Sequence, residues 1–215
     1  MGKTTTGAAL TFRPATPDRW PDLARLFGKN GVCAGCWCMW WKVPHARWQA
    51  QKGRGNRAGL RRAVGSGEVP GILAYRGREP VGWCAIEPRR AYPRLARSRV
   101  LAPVDDRDVW SITCFFVARS HRRRGVSRGL IEAAVARARR RGAALVEAYP
   151  VDPRKDAVPD VFVYTGLASA FRRAGFVEVA RRSETRPIMR RATDGPVARR
   201  RVQAGAAHAE PQPPE

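Results

Sequence analysis

A short loop rich in arginine and glycine, residues 122–128, has the residue types best suited to binding a phosphorylated ligand. It follows an apolar run that predicts a strand over 109–117, and it precedes residues with the spacing of an amphipathic helix. The first N–H groups of a helix have no partner within the helix, and the helix dipole adds partial positive charge there. Gly125 lets the main chain approach an anion closely. This order of elements predicts an anion site, to which four side chains add charge: Arg122, Arg123, Arg124 and Arg128.

The composition limits the class of protein. The chain has 215 residues, 44% of them hydrophobic, which is enough for one well-buried α/β domain with tails. Its formal net charge is +23, and such a charge attracts polyanions such as nucleic acid. The arginines are spread over the whole chain, however, and this favours a general compositional bias of the kind that a GC-rich bacterial genome produces.

No segment predicts export or insertion into a membrane. Residues 1–10 lack the apolar core of a signal peptide, and no run approaches the roughly 20 apolar residues of a membrane span. Five cysteines, an odd number without an export signal, are typical of reduced thiols. We therefore expect a cytoplasmic protein that does not bind a membrane.

Hydrophobic periodicity indicates one domain of strands and helices over residues 9–192. We expect residues 1–8 to form a flexible arm and residues 193–215 a disordered tail. The long apolar strands on either side of the helix after the basic loop are expected to be parallel neighbours. Strands are predicted at 10–13, 72–75, 81–86, 109–117, 143–149, 176–180 and 186–191. Helices are predicted from Pro17, after a cap at Asn56, after the basic loop, and at 165–174.

The basic loop and its context resemble the central motif of the GNAT superfamily of acyl-coenzyme-A-dependent N-acetyltransferases. Arg122 follows Val117 by five residues, and Gly125 comes three residues later. Ser127 stands where the family usually has Gly or Ala, and it is similarly small. The segment Ala174-Gly175-Phe176 resembles the last helix-to-strand junction of the family. The order of predicted elements agrees as well, so the resemblance covers most of the chain.

The resemblance implies an α/β (α+β) GNAT fold, with a mixed central sheet of about six to seven strands, a splayed parallel pair and flanking helices. It also implies that acetyl-CoA is the co-substrate and that the acetyl group passes directly to a primary amine of a small molecule or a protein. The main chain of the loop would hold the pyrophosphate, and the end of the preceding strand would bind the pantetheine arm and polarise the thioester carbonyl. The implied coenzyme-binding residues are Phe116, Val117, Arg122, Arg123, Arg124, Gly125, Val126, Ser127 and Arg128.

The catalytic positions of the family are less well matched. Phe171 stands where many members have a tyrosine that protonates the departing thiolate, so Tyr164 or Tyr149 would have to supply that proton. Ser111 stands where histone-modifying members have a glutamate base. Glu147 is the candidate base instead, because burial in an apolar strand makes a carboxylate more basic. The alternatives are that Glu147 is paired with an arginine and that a water chain removes the proton.

The segment 33–41 is rich in cysteine and tryptophan, and its Cys-Trp-Cys-Met run resembles that of a bacterial subgroup of the same superfamily. Cys33, Cys36 and Cys38, followed by His45, could supply the four ligands of a structural zinc site. A second cysteine pair is missing, however, so we expect no metal.

The tryptophans of the same segment have a different interpretation. Trp37, Trp40 and Trp41 lie between the first two predicted helices, the region that shapes the acceptor pocket in this superfamily. We expect them, with Tyr149, to form an aromatic wall for a partly apolar amine. The alternative is an ordinary hydrophobic core.

The sequence thus favours an acetyl-CoA-dependent N-acetyltransferase, with acetyl-CoA and an amine acceptor as its partners. The rival is a catalytically weak protein of the same fold that binds RNA or ribosomes, supported by the charge of +23 and by Phe171. Nucleic acid binding is therefore possible but not favoured. The sequence leaves open a longer acyl donor, the identity of the acceptor, and whether the protein is a monomer or a homodimer.

Overall fold

A mixed β-sheet organises the part of the chain that the computed structural model describes, residues 8–154, 159 and 162–194. Within these residues the sheet has seven strands in the order β1-β2-β3-β4-β5-β7-β6. The neighbours β4 and β5 are parallel, and the other neighbouring pairs are antiparallel. The strands are β1 (Leu10–Pro14), β2 (Gly71–Arg76), β3 (Glu79–Pro88), β4 (Trp110–Val117), β5 (Leu145–Ala148), β6 (Val177–Arg181) and β7 (Pro187–Ala192). The predicted fold class is confirmed.

Helices cover both faces of the sheet. The α-helices are α1 (Trp20–Phe27), α2 (His45–Ala50), α3 (Arg54–Gly65), α4 (Pro93–Ala96), α5 (Val126–Arg140) and α6 (Ala168–Arg173). Buried side chains of α5 and α6 pack on one face, and those of α1 and α3 pack on the other together with residues 31–43. Within the described residues, no helix has the length and apolar character needed to span a bilayer.

A bulge in β4 changes which face its side chains reach. Ala85 of β3 lies opposite Cys114, whereas the next residue, Ile86, lies opposite Ile112, so Thr113 is an extra residue in β4. Side chains two positions apart normally share a face, because the period of a strand is two. Here Ile112 packs on the α5 face and Cys114 on the α1 face. The bulge therefore sets the direction of every side chain from Cys114 to the end of β4.

Two glycines bring the start of α5 close to the sheet. A Cβ on Gly82 of β3 would lie 2.8 Å from Cγ1 of Val126, the first residue of α5. A Cβ on Gly129 would lie 2.2 Å from Cζ of Phe12 on β1. Real Cβ contacts are not this short, so a larger residue at either position would force Val126 or Phe12 to move. The pair fixes where the N-terminus of α5 lies relative to β3 and β4.

Several predicted boundaries were wrong. Asn56 does not cap a helix: it lies inside α3, where its buried amide donates to the carbonyls of Gly35 and Trp48. The short helix α2 was missed. The last helix begins at Ala168 rather than at 165, because Leu167 still forms a parallel bridge with Val151.

The domain ends slightly later than predicted. Thr193 is buried, and its N–H and hydroxyl donate to the carbonyls of Ala144 and Ala143. Thr193 and Asp194 therefore belong to the described domain. The remainder of the predicted tail, 195–215, and residues 1–7 of the predicted arm lie outside the described residues.

Candidate functional site

The loop between β4 and α5 presents main-chain N–H groups to solvent. Gly125 is the N-cap of α5 with a left-handed φ of +79°, and no side chain caps the helix there. The first bond of the helix runs from the N–H of Gly129 to the carbonyl of Gly125. The N–H groups of Val126, Ser127 and Arg128 therefore have no partner within the helix. A Cβ on Gly125 would meet no atom within 4 Å, so an anion can approach the main chain here.

The charge around this helix end is uniformly positive. Arg122, Arg123, Arg124 and Arg128 are all exposed, and Arg123 has a positive φ of +59°. The Nε of Arg122 donates to the carbonyl of Val117, which ties the loop to the end of β4. No Asp or Glu occurs between Asp108 and Glu132. The structure thus brings the predicted loop residues together at one helix N-terminus, and their arrangement fits a diphosphate.

The parallel strands β4 and β5 separate beside this loop. Their pairing ends with Ile112 opposite Ala148, whereas β4 continues along β3 as far as Val117. The N–H of Ala118 donates to the carbonyl of Val81 on β3. Successive residues of an antiparallel strand point their main-chain N–H and C=O groups alternately to one side of the strand and to the other. The main-chain groups of Phe116 therefore face β3, as those of Ala118 do, and those of Phe115 and Val117 face the opening between β4 and β5.

This alternation corrects one predicted site residue. The main chain of Phe116 is used in the ladder with β3, so it cannot bind a ligand in the opening. Its ring packs against Phe27 in the aromatic cluster on the α1 face. Phe115 and Val117 are the residues whose main chain faces the opening. The sequence could not predict which residues of β4 turn their main chain toward the opening, because this depends on the pairing with β3 and on the bulge at Thr113.

Tyr164 lies at the opening between β4 and β5. The N–H of Phe115 donates to the carbonyl of Tyr164 at 2.6 Å. The Tyr164 ring packs against the tryptophan-rich cluster on the α1 face. Burial raises the pKa of the Tyr164 hydroxyl, and the thiols of Cys114 and Cys36 add to that shift. Tyr164 precedes α6, which begins at Ala168, and it is half-buried at the point where the strands separate.

Glu147 is the centre of a buried ion-pair network. It is fully buried on β5. Oε1 accepts from Nη1 of Arg89 at 2.6 Å, and Oε2 accepts from Nε of Arg190 at 2.7 Å. Arg190 also pairs with Asp105 at 2.7 Å. Two guanidinium groups occupy the two carboxylate oxygens, so the geometry favours the paired alternative over the predicted base role.

Tyr149 belongs to the same network and not to an exposed wall. It is fully buried, and its hydroxyl donates to Oε1 of Glu147 at 2.6 Å. The hydroxyl also shares a hydrogen bond with Ser111 at 2.8 Å. Phe171 is fully buried as well, between Phe115 and Phe176. The predicted contact of Tyr149 with the acceptor is therefore corrected to a structural role, because no part of the ring reaches solvent.

The three predicted tryptophans have different environments. Trp37 is only 2% exposed and packs on Trp20 and Phe27, so it belongs to the core. Trp40 and Trp41 are half-buried and meet edge to face, with ring centroids 6.4 Å apart. Of the predicted wall, only these last two reach the surface.

Two residues of this region, Arg94 and Trp48, were not predicted from the sequence. The guanidinium of Arg94 lies 3.8 Å from the centroid of the Trp40 ring, and its Nη1 donates to the Trp40 carbonyl at 3.0 Å. The Trp48 ring meets Trp40 at right angles, with centroids 4.9 Å apart. Burial lowers the pKa of Arg94, and its neighbours Tyr164 and Cys36 oppose that shift. Trp40, on which Arg94 stacks, packs against the same apolar cluster as Tyr164. Arg94 follows a proline in a stretch predicted as loop, and nothing local identified it.

The cysteines of segment 33–41 do not converge on one point. Cys33 is exposed and Cys36 half-buried, whereas Cys38 is buried with its Sγ 3.2 Å from that of Cys114. His45 stacks on Trp48. Within residues 8–154, 159 and 162–194, no group of three or more His, Cys, Asp or Glu side chains is close enough to hold a metal ion.

Comparison with known proteins agrees with this geometry. The sequence model of the acetyltransferase (GNAT) family matches residues 29–159. A GNAT-family acetyltransferase from Listeria monocytogenes superposes with a TM-score of 0.53 at 11% identity, over 88% of this chain and 98% of that one. The PaiA N-acetyltransferase of Thermoplasma acidophilum, in complex with coenzyme A, gives 0.50 at 10% identity, over 86% and 99% of the two chains. At such identities the superpositions show a shared fold. No curated protein matches the chain in sequence.

Proposed function

Because the chain belongs to the GNAT family of acetyltransferases, we propose that it moves an acetyl group from acetyl-CoA directly to a primary amine. The acceptor is a small molecule or an amine on another protein. The observation that carries this proposal is the position of the basic loop, residues 122–128, at the mouth of the opening between β4 and β5. One ligand can then contact the loop with its phosphates and the opening with its thioester.

The loop supplies the contacts for the phosphates of coenzyme A. The free N–H groups of Val126, Ser127 and Arg128 would bind the pyrophosphate, with the helix dipole favouring its charge. The exposed Arg123 and Arg124 add cations that can reach the pyrophosphate or the 3′-phosphate. Arg122 is tied to the carbonyl of Val117 and orients the loop.

The opening supplies the contacts for the rest of the donor. The N–H of Val117 faces the space left by β5, where an extended pantetheine arm can add to the edge of β4 as a strand would. A main-chain N–H near the thioester carbonyl stabilises the negative charge that develops on its oxygen, and one such donor is worth roughly 10²- to 10³-fold in rate.

Proton transfer would involve Tyr164 and water. The Tyr164 hydroxyl carries its proton at neutral pH and can give it to the departing thiolate, although its raised pKa makes it a weaker acid than a free tyrosine. Glu147 is held by Arg89 and Arg190, so we assign removal of the amine proton to a water chain. The cation of Arg94 near the acceptor also lowers the basicity of a bound amine, which helps to keep it neutral and nucleophilic.

A thiol-release assay with acetyl-CoA and a panel of amines tests this function. We expect acetyl-CoA to bind and at least one class of amine to release free coenzyme A above the hydrolysis background. Coenzyme binding without turnover on any amine, together with salt-sensitive affinity for RNA, would instead support the RNA-binding alternative, which rests on the net charge of +23 and on Phe171.

A further inference from the structure

The acceptor side of the opening carries an arginine with no acidic partner. Arg94 is half-buried, and within the described residues it forms no ion pair with a carboxylate. Some half-buried cations have such a partner, as Lys42 has Glu87, whereas Arg137 lies over Trp110 and donates to a main-chain carbonyl. An anion that binds a partly buried arginine compensates for the water that the guanidinium has lost. The position of Arg94 is therefore consistent with a ligand that brings its own negative charge.

The contacts of Arg94 leave donors available. Its guanidinium face lies over the Trp40 ring, and one N–H of Nη1 is used by the Trp40 carbonyl. A guanidinium has five N–H donors in a planar fork, so an edge remains that matches the two oxygens of a carboxylate. Stacking on an indole also fixes the orientation of that fork before a ligand binds.

The surrounding chain has no acid that would repel an anion. Lys and Arg occur eight times between residues 29 and 67, whereas Asp and Glu do not occur there at all. This stretch contains α2 and α3, and it packs beside the opening through Trp40 and Trp48. Lys52 adds a second cation to the aromatic surface, with its Nζ 4.8 Å from the centroid of the Trp48 ring. Such a surface attracts an acidic ligand and disfavours a polycationic one.

We propose that the acceptor is an amine that also carries a carboxylate, of the amino-acid class, and that the carboxylate binds the free edge of Arg94 while the apolar part of the acceptor lies on Trp40. This inference rests on the proposed function, because it identifies the acceptor of that same reaction. A carboxylate fits better than a phosphate, since a single guanidinium edge satisfies two carboxylate oxygens, and phosphate sites combine several donors. Trp40, on which Arg94 stacks, and Tyr164 pack against the same apolar cluster, so an acceptor held there by its carboxylate has its amine on the side of the opening where Tyr164 lies.

The test compares amino acids with their carboxamides, which keep the amine and the side chain but lose the negative charge. Aromatic and aliphatic amino acids and the matched amides are titrated into the protein saturated with coenzyme A, and the same pairs are assayed as acetyl acceptors. We expect at least one acid to bind about tenfold or more tightly than its amide. Arg94→Gln should remove that preference and leave coenzyme affinity within about twofold, whereas Arg94→Lys should retain part of it. Arg97→Gln, which removes an exposed arginine three residues away, is the matched control and should change neither.

The outcomes separate the two claims. If no acid binds more tightly than its amide, or if Arg94→Gln weakens acid and amide equally, this inference is overturned whatever the turnover. If acids bind through Arg94 but no amine is acetylated, the inference holds as a binding site and the transferase proposal fails. Should Arg94→Gln fail to fold, the comparison of acids with amides on the wild-type protein still decides the question.

Discussion

The main-chain N–H of Phe115 donates a 2.6 Å hydrogen bond to the carbonyl of Tyr164. This bond holds Tyr164 at the point where β4 leaves β5, three residues after their last paired position at Ile112. It is formed on the side of β4 that faces the opening, the same side as the N–H of Val117. In the sequence, Phe171 and not Tyr164 stands at the tyrosine position of the family. The main-chain bond to Phe115 nevertheless brings Tyr164 to the opening.

The hydroxyl of Tyr164 should contribute to turnover and not to coenzyme binding. Tyr164→Phe removes the proton donor, and general acids contribute typically 10²- to 10⁴-fold, so we expect kcat to fall by about a hundredfold or more. The affinity for acetyl-CoA should stay within about twofold, since the main-chain bond to Phe115 is retained. Tyr75→Phe is the matched control, because its hydroxyl is bound to Asp22 on the α1 face. Steady-state kinetics and a coenzyme titration measure both quantities; unchanged kcat would move the acid role to water.

Glu147 should matter for stability rather than for chemistry. Glu147→Gln leaves Arg89 and Arg190 partly or fully buried with their charge less compensated, and breaking such pairs costs about 3–5 kcal/mol of unfolding free energy. Denaturant unfolding should show this loss, while kcat per folded molecule stays within a few-fold. Glu184→Gln, at an exposed carboxylate paired with Arg154, should change little. A stable Glu147→Gln protein with a kcat reduced by a hundredfold would instead restore the base role.

Gly129 should be required for the position of α5. Gly129→Ala puts a methyl group 2.2 Å from the Phe12 ring, and overpacking of this kind costs about 1–3 kcal/mol. Coenzyme affinity should fall as well, because α5 must move and its N-terminus is part of the site. Gly65→Ala in α3 has no atom within 4 Å of the new Cβ and should stabilise by about 0.5–1 kcal/mol. Phe12→Leu should recover part of the loss in a double-mutant cycle; no recovery would mean that the clash is not the cause.

The stability of the protein should fall at alkaline pH. Burial, with help from the neighbouring Cys114 thiol, raises the pKa of Cys36 to about 11 from the ordinary thiol value of 9.0. The unfolded chain therefore loses this proton first, so the contribution of Cys36 is fully present below pH 9 and is lost as the pH rises towards 11. Each such thiol adds a slope of about 1.4 kcal/mol per pH unit in that window. Buried Cys38 and Cys84 also have raised pKa values and add to the slope.

Cys36→Ala isolates the contribution of one thiol to the pH dependence of the unfolding free energy. Unfolding free energies measured at intervals from pH 8 to pH 11 should show a shallower decline than in the wild type. Cys33→Ala is the control at an exposed position in the same segment. Identical pH profiles for wild type and Cys36→Ala would contradict the burial of this thiol.

The sequence was sufficient for the basic loop at the start of α5 and for the order of elements. The loop at 122–128, the strand before it and the helix after it depend on local spacing, and all three were predicted close to their observed bounds. The acceptor half depends on contacts between distant segments. The bulge at Thr113 decides which residues of β4 face the opening, and it has no sequence signature here. Arg94 and Trp40 are more than fifty residues apart in the sequence, so their contact could not be predicted from it.

The central claim is that the loop at the start of α5 holds acetyl-CoA, and a calorimetric titration of three proteins tests it most directly. Gly125→Asp adds a carboxylate at the anion site, whereas Gly142→Asp adds one at the opposite end of the same helix, where the glycine has the same φ of +79° and equally open surroundings. The two changes therefore share charge and backbone strain and differ only in position. We predict that wild type and Gly142→Asp bind acetyl-CoA with micromolar-range affinity and that Gly125→Asp shows no measurable binding. Equal affinity of Gly125→Asp and wild type would contradict the assignment of the loop.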